Sequence, residues 1–98
     1  MRMMLKAKFE TEAVSQAISD GSFPQILQDT LARLRPEATY FGPESGVRTA
    51  FIVFDMSDPS QLPAISEPLF KLKATVQIFP LMNLEDLQKG LQQLGQNG

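Results

Sequence analysis

Cysteine and histidine are both absent from this chain of 98 residues. Their absence removes disulfides, thiol nucleophiles, Ser-His and Cys-His catalysis, and every metal site built on imidazole or thiolate. The expectation is a protein without cofactors: no haem and no stoichiometric zinc, iron or copper. A strong excess of one charge is missing too, with nine basic residues against eleven acidic ones and a net charge of −2. Such a balance supplies no basic field to gather nucleic acid or anionic lipid, so no nucleic-acid partner is expected. The longest uncharged apolar run, Thr49 to Phe54, is far shorter than the roughly 18 residues that span a bilayer. The stretch Met1 to Lys6 is interrupted by charge and lacks the apolar core of a signal peptide. No membrane partner and a cytoplasmic location are the resulting expectations.

An apolar fraction of 43% and a charged fraction of 20% belong to a globular chain, and the length suits one domain over residues 1–98. A chain this long buries roughly two-thirds of the surface that it exposes when unfolded. Met4 to Phe9 alternates, with Leu5, Ala7 and Phe9 on one side and Met4, Lys6 and Lys8 on the other, which predicts a first strand. Thr11 to Asp20 carries Val14, Ala17 and Ile18 at helical spacing. After Gly21, Ser22 and Gln25 read as a capping box that restarts a helix bearing Phe23, Ile26, Leu27, Leu31 and Leu34, stopped by Pro36. Ala38 to Phe41 predicts a short strand, and Gly42 to Gly46 a turn-rich connector. The return strand, Val47 to Asp55, is apolar on both faces, as a central strand should be. Asp58, Pro59 and Gln61 start a helix that Pro63 and Pro68 shorten or break. Thr75 to Leu81 alternates again, and a last helix begins at Asn83 with Leu84, Leu87, Leu91 and Leu94, before Gly95 to Gly98 frays. The order βαββαβ plus a C-terminal helix predicts an α+β, ferredoxin-like fold with a four-stranded antiparallel sheet.

A sheet of this topology carries its helices on one face. Phe51, Val53, Phe79 and Leu81 fall on the other, an apolar set large for open solvent. The expectation is a homodimer paired through the open sheet face; the competing reading folds the C-terminal helix back over that face within one chain.

The run Phe51-Ile52-Val53-Phe54-Asp55 after Gly46, the helix ending Pro68-Leu69-Phe70 and the strand Gln77-Ile78-Phe79-Pro80-Leu81 resemble the second half of the muconolactone isomerase family. Lys6 also falls where that family tends to carry a basic residue. The resemblance covers about half of the chain and implies the dimeric α+β-barrel superfamily, in which two ferredoxin-like subunits pair through their sheets. Members of that superfamily that bind haem or use a histidine-aspartate pair need an imidazole, which this chain lacks.

Six residues are candidates for chemistry. Lys6 and Lys8 share one face of the first strand, and Arg48 opens the central strand. These three basic groups sit on strands, where alternation can aim them into an enclosed space as anchors for a carboxylate ligand. Otherwise the lysines are rim residues with solvated heads, and Arg48 protects a strand end. Asp55, Glu67 and Tyr40 are the candidate acid-base groups, against structural readings as turn cap, helix cap and amphipathic filler. A Lys6–Asp55 pair across neighbouring strands would satisfy both charges and leave nothing for a ligand. Two functions follow: a small-molecule-binding protein that takes a small organic acid, with cofactor-free isomerase-like chemistry if it catalyses, or a non-catalytic interaction or regulatory module. No glycine-rich phosphate loop and no aromatic RNA-binding signature occur.

Overall fold

The computed structural model describes residues 1–97, the side chain of Asn97 excepted. Strand β1 (Arg2–Phe9) leads through helices α1 (Thr11–Asp20) and α2 (Ser22–Leu34) to the hairpin β2 (Ala38–Glu44) and β3 (Val47–Asp55). A 3-10 turn, Pro59–Gln61, runs into α3 (Leu62–Phe70), followed by β4 (Ala74–Pro80) and α4 (Leu84–Asn97). The four strands form one antiparallel sheet in the order β2-β3-β1-β4. This α+β arrangement is compatible with the ferredoxin-like fold.

Period-2 alternation sets the two faces. Met3, Leu5, Ala7 and Phe9 of β1 are buried, while Arg2, Met4, Lys6 and Lys8 are not. Register carries the same division across β3, where Leu5 lies opposite Ile52 and Met3 opposite Phe54. These side chains meet Val14 and Ala17 of α1, Leu34 of α2, and Ile65 and Leu69 of α3 in one core. Phe54, Leu5, Ile52 and Val14 are almost wholly removed from water, each contributing about 1.5–3 kcal/mol. The opposite face of the sheet is covered by none of the first three helices.

Several local expectations are corrected. The strand β2 continues through Gly42, Pro43 and Glu44, and the connection shrinks to Ser45 and Gly46. Both turn residues have positive φ, 53° and 77°, the requirement of a type I′ hairpin turn matched to strand twist. Pro43 is tolerated because β2 is an edge strand. Ser22 does not cap α2: Gly21, left-handed at φ 81°, takes that position, and the Ser22 amide donates to Asp20 Oδ1 at 2.8 Å. Gln25 reaches Asp29 instead, at 2.9 Å. The capping box at Asp58 and Gln61 does form, and its acceptance of the Ser60 amide holds the Asp58 carboxyl below its usual range. Pro68 lies inside α3 without ending it.

The last helix runs further than expected. Asn83 caps it reciprocally with Asp86, the Asp86 amide donating to Asn83 Oδ1 at 2.8 Å and the Asn83 amide to Asp86 Oδ2 at 3.1 Å. It continues through Gly95, Gln96 and Asn97 without fraying; Gly98 lies outside the described residues. It does not fold back over the open sheet face. All four of its leucines are exposed, Leu84 and Leu94 to 69%, and none belongs to the core. The radius of gyration is 16.1 Å, against about 13 Å for a compact chain of this length. The longest dimension is 56 Å.

Candidate functional site

At the Phe9 end of the sheet, the helix layer and the β2-β3 hairpin leave a cleft of about 510 Å³. Its floor comes from Phe9 of β1 together with Arg48 and Thr49 of β3. Ile18 of α1 and Phe23 and Leu27 of α2 form one wall, and Phe41, Gly42 and Pro43 of β2 form the other. Phe9 and Phe23 meet edge to face, ring centroids 5.6 Å apart and planes at 88°, which fixes the base of the cleft. Phe41 and Ile18 remain 55% and 48% exposed, so apolar surface stands open to water along the rim.

Arg48 is the single charged side chain in this lining. It is placed there by register: residues 48, 50, 52 and 54 of β3 share the helix-facing side. Its guanidinium Nη1 donates to Ser15 Oγ of α1 at 3.2 Å, a neutral acceptor. Among the described residues no carboxylate lies within ion-pair distance of it. An unpaired guanidinium beside an apolar wall suits a carboxylate on an apolar body, because the planar fork can donate two parallel hydrogen bonds to one carboxylate.

The other five candidates lie elsewhere. Lys6 and Lys8 point to the open face of the sheet, and both pair with one carboxylate, Glu44 of β2; the Lys8 contact is 3.0 Å. Hydrogen bonds from Lys6 and then Lys8 hold the Glu44 carboxyl below its usual range. The lysines therefore already have a partner, and Lys6 does not pair with Asp55. Asp55 accepts from the Met1 ammonium at 2.6 Å, at the opposite end of β3 from Arg48, roughly 23 Å away by strand rise. Tyr40 stands on the open face opposite Phe51, 69% exposed, and so is no buried filler. Glu67 is exposed on α3, where its backbone carbonyl accepts from the Lys71 amide at 3.1 Å. The structure thus gathers neither the three basic anchors nor the three acid-base groups into one place.

Two features escape sequence reasoning. Glu44 reads as a turn residue until the two-residue turn Ser45-Gly46 is recognised, which places Glu44 in the strand. The aromatic lining, Phe9, Phe23 and Phe41, comes from three elements whose meeting no spacing reports. Among the described residues, no group of three or more Asp or Glu side chains gathers as metal ligands, and no helix is long and apolar enough to cross a membrane.

Fold and site together define an α+β sheet protein with an apolar cleft beside its helices and, among the described residues, a sheet face that no helix covers. Comparison with family models, with curated proteins and with solved structures finds no match to this chain.

Proposed function

We propose that this protein binds a small, largely apolar organic acid in the cleft, with Arg48 as the carboxylate anchor. The observation that carries the reading is the position of Arg48: among the described residues it is the only charge lining an apolar cleft of about 510 Å³, with a serine hydroxyl as its side-chain partner. That volume lies within the range of about 300–1,000 Å³ common for small-molecule sites. The lining holds no carboxylate and no tyrosine, so the geometry favours binding over proton-transfer catalysis. Anchoring through Lys6 and Lys8 is disfavoured by their shared pairing with Glu44.

The same reading includes a homodimer paired through the open sheet face, in the manner of a dimeric α+β barrel. It is supported by the exposure of Tyr40 and Phe79 and the partial exposure of Phe51 and Val53 on that face. Thermal-shift titration with matched aromatic and aliphatic acids and amines tests the ligand class, and light scattering at micromolar concentration tests the assembly. Stabilisation by acids, lost in Arg48→Gln, is the expected result.

A further inference from the structure

The helix α4 is capped by Asn83 and Asp86 but has no packing partner for its leucines within its own chain. It spans 14 residues, includes Gly90 and Gly95, and buries none of its leucines. Isolated helices of about this length are marginal in water even with better helix formers, because most helical stability in proteins comes from packing an apolar face. That face exists: Leu84, Leu87, Leu91 and Leu94 follow steps of three, four and three, the narrow seam with which a helix packs against another apolar element.

We infer that α4 is an assembly arm, whose leucine seam packs on a second copy of this chain beside the open sheet face. The inference rests on the dimer proposed above and extends it. Tyr40 and Phe79, 69% and 42% exposed, offer roughly 200 Å² of apolar surface. A stable pairing buries about 800 Å² per partner, a little over half of it apolar, so these two aromatic residues supply under half of what is needed. The four leucines of α4, 41% to 69% exposed, add roughly 250 Å², which brings the total into range. The body of the same chain does not receive the arm: all four leucines stay exposed and none joins its core. A lipid surface is disfavoured as the occupant, because Glu85 and Asp86 outnumber the single basic residue of the helix, Lys89.

The test is the double substitution Leu87→Glu with Leu91→Glu in the full chain, read by light scattering and thermal unfolding beside Phe51→Glu. The inference expects wild type to be dimeric and the double variant to be a folded monomer, since neither leucine belongs to the core of its own chain. A double variant that stays dimeric, or that fails to fold while Phe51→Glu folds, overturns the arm. Wild type that is monomeric and sediments with phosphatidylcholine-phosphatidylglycerol vesicles overturns it in favour of a membrane surface. If Phe51→Glu dissociates the dimer and the α4 variant does not, the sheet pairing stands and the arm falls.

Discussion

Lys8 lies 3.0 Å from Glu44, although the two residues belong to strands separated by β3. Together with Lys6 this pairing spans the open face of three adjacent strands and holds one carboxylate between two ammonium groups. Lys6 and Lys8 thus brace the open face of the sheet, opposite the face that carries the cleft.

Glu44 should make the fold acid-sensitive. Its pKa is lower in the folded chain than in the unfolded one, so the unfolded state binds its proton first. The stabilisation is present above the ordinary glutamate value, about 4.3, and is lost as pH falls through the lower folded value. Urea unfolding between pH 3 and pH 7 should show a flatter acid limb for Glu44→Gln than for wild type; identical limbs would show that the pairing is fully screened.

The core and the cleft rim should respond differently to truncation. Phe54, 1% exposed in the core, should lose about 3–5 kcal/mol on substitution by alanine. Phe41, 55% exposed on the cleft rim, should change stability by less than about 1 kcal/mol as Phe41→Ser while weakening acid binding. Denaturant midpoints at constant slope measure both.

The hairpin turn places Ser45 at φ 53° and Gly46 at φ 77°. Asparagine accepts the left-handed conformation better than serine, and Asn-Gly is the preferred pair for this turn. Ser45→Asn should therefore stabilise by a few tenths of a kcal/mol, and Gly46→Val should destabilise by about 1–2 kcal/mol. Thermal unfolding of the two single variants resolves the opposite signs.

The alternation of Leu5, Ala7 and Phe9 and the doubly apolar run of β3 made the sheet legible, because burial on alternate sides leaves a direct trace in residue type. The extent of β2 was not legible. Gly42 and Pro43 are turn formers by intrinsic preference, and only their place on a sheet edge lets them extend a strand. Arg48 could be named from its strand position, yet its separation from Lys6 and Lys8 depends on register, which assigns residues 6 and 8 of β1 and residue 48 of β3 to opposite faces. The leucines of α4 were legible as a stripe, but their partner was not, since spacing specifies a seam and not what fills it.

Titration calorimetry with a small aromatic carboxylate, on wild type, Arg48→Gln and Lys6→Met, tests the central claim most directly. The account predicts saturable binding to wild type, binding weakened at least tenfold in Arg48→Gln, and binding unchanged in Lys6→Met. Equal affinity in wild type and Arg48→Gln, or loss in Lys6→Met alone, would contradict it.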